Sequence, residues 1–176
     1  DKPVPEDAYG QSKLEAEQLL FEIGQTTPME VVVIRPPLIY GPGVKANFAS
    51  IIKIIQKGVP LPLGVTANQR SLLAIDNLVD FVRLCIDHPA AANQVFLMAD
   101  GKDVSTTVLL MKIAKAYQRP VRLIPVPVCW MIFIAKLTGK NNISDRLFGN
   151  LQIDITKAQQ LLGWKPVVSM EQQLNK

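Results

Sequence analysis

The sequence predicts an α/β fold of the doubly wound type, on three observations. A helical stretch, Ala8 to Ile23, precedes Val31-Val32-Val33-Ile34, a continuous β-branched run of the kind buried on both faces of a parallel sheet. That run ends in a loop rich in proline and glycine, Arg35 to Gly43. Strand and helix patterns then alternate again, Gln94–Ala99 before Thr106–Tyr117, which is the order such folds require. Ligands in these sheets sit beyond the carboxyl ends of the strands, so the loop from Pro36 is where a site belongs.

The lead-in to the first helix is polar, with Pro3 and Pro5 keeping it extended. Glu6 and Asp7 suit a helix N-terminus, and Gly24 suits its stop. Leu14, Leu19, Leu20 and Ile23 supply the apolar side. Met29 to Arg35 is the strand. A second helix runs from Phe48 to Gln56, with Asn47 placed to cap it and Gly58 to end it. Val59 to Gly64 is a short extended piece. A strand then leads to Asp76, read as the N-cap of a helix over Leu78–Asp87. Ser105 caps the helix over Thr106–Tyr117, whose core side is Leu109, Leu110, Ile113 and Ala114. A proline-rich link over Arg119–Pro127 precedes an apolar helix, Val128 to Leu137. The last clear helix covers Ile155–Leu162, followed by Gly163-Trp164-Lys165-Pro166 with Trp164 in the core.

An apolar fraction of 48% with 19% charged residues fits a globular chain with a real core. The net charge of +4 and pI near 9.1 are mild. The cations are scattered, without the clustering and interleaved aromatics of a nucleic-acid face, and they suit an anionic small ligand. Cys85 and Cys129, lacking C-x-x-C spacing, read as free buried thiols in a reducing, cytoplasmic setting. His88 reads as a helix-end residue, and no metal site is expected. The run from Leu123 to Ala135 spans 13 residues with two prolines. A membrane span needs about 20, so the run reads as a buried or pocket-lining helix. A membrane-surface role for its Trp130, Met131, Phe133 and Ile134 is the alternative.

The chemistry is concentrated in Tyr9-Gly10-Gln11-Ser12-Lys13-Leu14-Glu15-Ala16-Glu17. Positions i and i+4 share a helix face. An ammonium beside a phenol favours the phenolate, which readies the hydroxyl to take or return a proton. A Tyr and a Lys at this spacing also occur on ordinary surface helices, but the complete string is more specific. It resembles the active-site helix of the extended short-chain dehydrogenase/reductase family, the nucleotide-sugar epimerases, dehydratases and reductases. Later strings agree with it in order. Arg35-Pro36-Pro37-Leu38-Ile39-Tyr40-Gly41-Pro42 resembles the strand end that follows that helix. Arg70-Ser71 with Asp76 resembles an Arg-[Asp/Ser] motif. Asp154 to Pro166 resembles the C-terminal signature.

The resemblance implies Tyr9 as acid/base and Lys13 as the residue that tunes it and holds the nicotinamide ribose. Pro36 and Pro37 would touch the nicotinamide end of NAD, with NADP open. On a nucleotide-diphosphate sugar, Asn47 and Arg70 would meet the diphosphate, Leu61 and Leu63 would pass along the base, and Arg146 would contact the nucleotide. Structural readings stand beside these: Asn47 as a cap, Arg70 as a loop arginine, Pro36-Pro37 as a rigid connector. Many relatives place Asn three residues after the arginine; this chain has Leu38, so that substrate contact does not transfer. Residues 1–40 would be the end of a Rossmann domain. Residues 41–176 would be mainly the smaller nucleotide-sugar-binding subdomain, with a strand–helix segment at about 71–87 returning to the Rossmann sheet.

No G-x-G-x-x-G or G-x-x-G-x-x-G occurs, so the resemblance implies the C-terminal portion of a longer enzyme whose N-terminal part holds most of the cofactor site. The run from Arg35 to Phe48 favours 4-epimerisation of a UDP-sugar in a bacterial polysaccharide pathway. A 4-keto-sugar reductase, a dehydratase and a non-catalytic binding module stay open. Relatives imply a homodimer, and neither nucleic acid nor stable membrane insertion is expected.

Overall fold

The computed structural model describes residues 3–5, 7–44, 47–137 and 147–176. Asp7 caps the first helix, α1 (Ala8–Thr26), accepting from the Gly10 N–H at 2.7 Å. The helix runs through Gly24 instead of stopping there. A Cβ at Gly24 would stand 3.2 Å from both the Met29 carbonyl oxygen and Val31 Cγ2, so this glycine allows close packing and does not terminate the helix. None of α1 is buried, and Leu19, Leu20 and Ile23 are exposed. Of the expected apolar side only Leu14 is half-buried.

The strand β1 (Val32–Arg35) pairs in parallel with β4 (Gln94–Leu97), Val32 opposite Gln94 and Arg35 opposite Leu97. Val31 and Val33 are buried, while Val32 and Ile34 are only half-buried. Burial on both faces, as the β-branched run predicted, is therefore incomplete: among the described residues β1 has one partner strand. The outer side of β4 is closed by Lys157, whose Nζ donates to the Val95 carbonyl at 2.9 Å and lies over the Phe96 ring.

Past Pro36-Pro37 the chain forms a strand where the sequence suggested only a loop. This is β2 (Leu38–Tyr40), parallel to β3 (Leu72–Ala74), with Leu38 opposite Leu72. The segment at 71–87 thus sends its strand to β2 and not to β1; the strand that returns to β1 is β4. The alternation of side chains along a strand places β3 between two cores. Leu72 and Ala74 join Tyr40, Phe48, Leu110, Ile113 and Leu174. Leu73 joins Phe81, Phe96, Met98, Leu162 and Trp164. All three strand residues are buried.

The helices α2 (Asn47–Gln56) and α4 (Thr106–Ala116) cover the first core, and Ser105 caps α4 through the Val108 N–H as expected. Helix α3 (Ile75–Asp87) covers the second and begins earlier than expected, with Ala74 in the cap position and no side-chain cap. Asp76 is not the cap; it pairs with Lys176. His88 ends α3 and caps the short 3-10 turn Pro89–Ala91. Helix α6 (Thr156–Leu162) ends at Gly163 in the left-handed region, and Trp164 is core, edge-on to Phe81 with its indole N–H on Asp80. Helix α7 (Met170–Leu174), unforeseen in the sequence, opens with a Ser169/Gln172 capping box.

Helix α5 (Val128–Leu137) has the expected bounds but not the expected burial. Met131 packs on the first core, whereas Trp130, Phe133 and Leu137 face outward. The cysteines are free but not both buried: Cys85 is half-buried and Cys129 exposed. Among the described residues no helix is long and apolar enough to cross a membrane.

Candidate active site

Two contacts orient α1 against β1. Glu17 grips Arg35 at the carboxyl end of the strand, its oxygens 3.0–3.1 Å from the Arg35 Nε and a third contact made by Nη2. Seven residues later Gly24 packs on Val31 at the amino end. The helix therefore runs antiparallel to the strand. With a rise of about 1.5 Å per residue, Lys13 and Tyr9 lie roughly 6 and 12 Å beyond the carboxyl end of β1, where open α/β sheets bind ligands.

There the two side chains meet. Lys13 Nζ stands over the Tyr9 ring, 5.4 Å from its centroid. Between them, the Ser12 hydroxyl donates to the Tyr9 carbonyl at 2.8 Å. Tyr9 is 70% exposed, so the phenol and the ammonium share an open surface. Pro36 and Pro37 follow Arg35 directly and connect β1 to β2, which puts them at the same end of the sheet.

The other expected site residues lie around the first core. Asn47 is the first residue of α2. Leu61 has its backbone committed: its N–H donates to the Arg122 carbonyl and its carbonyl accepts from the Ile124 N–H, both at 2.8 Å. Leu63 is buried, and its carbonyl accepts from the Thr107 hydroxyl. Both backbone groups of Leu61 and the carbonyl of Leu63 are thus paired with the link and with α4, partners that local sequence does not reveal. Arg70 is half-buried between strands, its backbone paired with Val104 and Nη1 donating to the Gly149 carbonyl at 3.1 Å. Burial lowers its pKa from the ordinary guanidinium value. Arg146 lies outside the described residues. No group of three His, Cys, Asp or Glu side chains suited to a metal occurs among the described residues.

One polar cluster went unread in the sequence. The Tyr40 hydroxyl donates to Asp100 Oδ2 at 2.6 Å, and Asp100 Oδ1 accepts from the Ala74 N–H and from Asn77 Nδ2. Asn77 in turn accepts from the N–H groups of Val167 and Val168. Asp100 resembled a turn residue because Gly101 follows it; its partners are 23 to 60 positions away.

A model of the NAD dependent epimerase/dehydratase family matches residues 1–99. The chain is 52% identical over 174 residues to a UDP-glucose 4-epimerase of Vibrio cholerae, covering 98% of this chain and 53% of that protein. It is 28% identical over 146 residues to an N-acetyl-alpha-D-glucosaminyl-diphospho-ditrans,octacis-undecaprenol 4-epimerase of Escherichia coli O157:H7, covering 77% of this chain and 44% of that one. In fold it is similar to a UDP-glucose 4-epimerase of Thermotoga maritima solved with UDP-glucose, at a TM-score of 0.72 and 22% identity, over 98% of this chain and 52% of that one. The chain thus spans about half the length of the curated relatives it matches. With an ammonium held over a phenol past the end of a parallel strand, and with these matches, the chain belongs to the NAD dependent epimerase/dehydratase family.

Proposed function

We propose that this chain carries the acid/base helix and the substrate-binding part of an NAD-dependent 4-epimerase of a UDP-sugar. The observation that carries the reading is the placement of Tyr9 and Lys13, in contact and beyond the carboxyl end of β1. The 52% identity to a UDP-glucose 4-epimerase supports the choice of reaction.

On this reading the Tyr9 oxygen takes the proton of the sugar C4 hydroxyl, leaving a 4-keto sugar, and later returns it after the sugar has turned its other face. NAD, when bound, would supply the hydride acceptor and donor for C4. Lys13, held over the Tyr9 ring, would also hold the nicotinamide ribose, and Pro36 and Pro37 would flank the nicotinamide end. The residues present fit such a group, because the Tyr9–Lys13 face and the free side of β1 are open together. That free side is where further strands of a dinucleotide domain would pair. We place the boundary with the substrate part near residue 40, where β1 gives way to the second sheet. The diphosphate falls to Arg70, Arg146 and the N-terminus of α2 at Asn47, since helix N-termini favour phosphate. The exposed Leu19, Leu20 and Ile23 of α1 suit a homodimer contact.

The test uses the longer protein that contains this chain. Conversion of UDP-glucose is expected to fall about 100-fold or more in Tyr9→Phe, the scale of a lost general acid/base, with nucleotide-sugar binding retained. Unchanged turnover in that variant would remove Tyr9 from the acid/base role, and absence of conversion by the wild-type protein would leave a non-catalytic binding module as the answer.

A further inference from the structure

We infer that the outward face of α5 seats this protein on an anionic lipid surface. Trp130, Phe133 and Leu137, spaced i, i+3 and i+7, form one stripe on a ten-residue helix, and they are 66%, 61% and 72% exposed. Isolated exposed apolar residues are ordinary; a contiguous stripe of large ones marks a contact surface. Ile124, on the link just before the helix, is also exposed, at 48%.

Charge selects the occupant. No Asp or Glu occurs between Asp103 and Asp145, whereas Lys112, Lys115, Arg119, Arg122, Lys136 and Lys140 do. Lys112 is engaged by Glu171, but Arg119, Arg122 on the link and Lys136 on α5 itself are exposed. Exposed aromatic and aliphatic side chains on a stretch of sequence that carries cations and no acids match the boundary between acyl chains and anionic headgroups. A protein partner with an apolar face would not require the absence of acids. At ten residues the helix lies on such a surface and does not cross it. The seat is firm: Met131 roots the inner side of α5 in the first core, and the link is hydrogen-bonded to Leu61 and Gly64.

The inference does not depend on the reaction, so its test is separate. The longer protein containing this chain is mixed with phosphatidylcholine vesicles with and without phosphatidylglycerol, and bound protein is read by flotation. Binding is expected to the anionic vesicles, with a blue shift of Trp130 emission that Trp130→Ser abolishes; Trp164, buried, supplies a constant background. A Trp130→Ser/Phe133→Ser variant is expected to bind about tenfold less or weaker while converting a water-soluble nucleotide sugar at the wild-type rate. Arg122→Glu/Lys136→Glu is expected to lose binding by about fivefold or more per charge, and only where phosphatidylglycerol is present. Failure of the wild type to float would overturn the inference. So would protection of Trp130 from acrylamide in the absence of lipid, which would assign the stripe to another part of the chain or to a second copy.

Discussion

Glu17 of α1 and Arg35 at the end of β1 form a bidentate ion pair across the helix–strand gap. Each belongs to a different recognisable string, one ending in Ala16-Glu17 and the other beginning at Arg35-Pro36. Their contact converts two separate sequence signals into one geometry, because it sets how far Tyr9 and Lys13 project past the strand. The pair matters more than usual here, since α1 buries none of its own residues.

Arg35→Ala is expected to cost about 2 kcal/mol, the scale of charged hydrogen bonds lost from a partly buried carboxylate. Chemical denaturation measures the cost. Hydrogen exchange should show faster exchange confined to amides of α1, and Arg35→Lys should recover only part of the loss because an ammonium cannot make the forked contact.

Tyr40 gives the stability a pH dependence. Burial first, then the hydrogen bond to Asp100 and its charge, push the phenol far above the ordinary tyrosine range. The folded state holds this proton more tightly than the unfolded chain, which releases it near pH ~10. The contribution is therefore complete below that pH and is lost as pH rises above it. Denaturation at pH values above ~10 should show wild-type stability falling by about 1.4 kcal/mol per pH unit relative to Tyr40→Phe. At neutral pH the same variant should be less stable by roughly 1–3 kcal/mol, because Asp100 Oδ2 loses its donor.

Asn77 pins the C-terminal segment. It is fully buried and bonds Asp100, the Val168 carbonyl and the N–H groups of Val167 and Val168 at 2.7–3.0 Å. Asn77→Ala is expected to cost about 3 kcal/mol by stranding several buried groups and to open the chain near Val167 to limited proteolysis. Asp76→Ala, one residue earlier, removes only an exposed pair with Lys176 and should cost under about 1 kcal/mol.

Gln173 is a stored liability. Its side chain is fully buried, and neither its amide nitrogen nor its amide oxygen has a partner among the described residues. Gln173→Met keeps similar volume and removes the unpaired groups, so it should raise stability by about 1 kcal/mol. A thermal-unfolding midpoint below the wild type would contradict this account. Gly41→Ala should act in the opposite sense, since a Cβ there would stand 2.6 Å from Ile75 Cγ2, at a φ of 136°.

Much of the local structure was legible in the chain itself. Ser105 and Asp7 each stand at the start of the helix that their side-chain chemistry suits, His88 ends α3, and Leu109, Leu110, Ile113 and Ala114 are buried as their helical spacing required. Lys13 meets Tyr9 because one helical turn brings i and i+4 together, a relation that needs no distant residue. The misread elements share a cause. β2 was hidden because its three residues gain strand structure only from β3, 34 positions on. Asp100 looked like a turn because its three partners come from β2, β3 and α3.

Spacing within a few residues settles helix faces, caps and the juxtaposition of the phenol with the amine, since those interactions close over a single turn. Which strand pairs with which, that Leu61 spends its backbone on the link, that Arg70 reaches the Gly149 carbonyl, and that α5 turns its aromatic side outward were decided by the tertiary structure. Each depends on chain segments that meet only after long loops have closed, and a linear pattern carries no record of that closure.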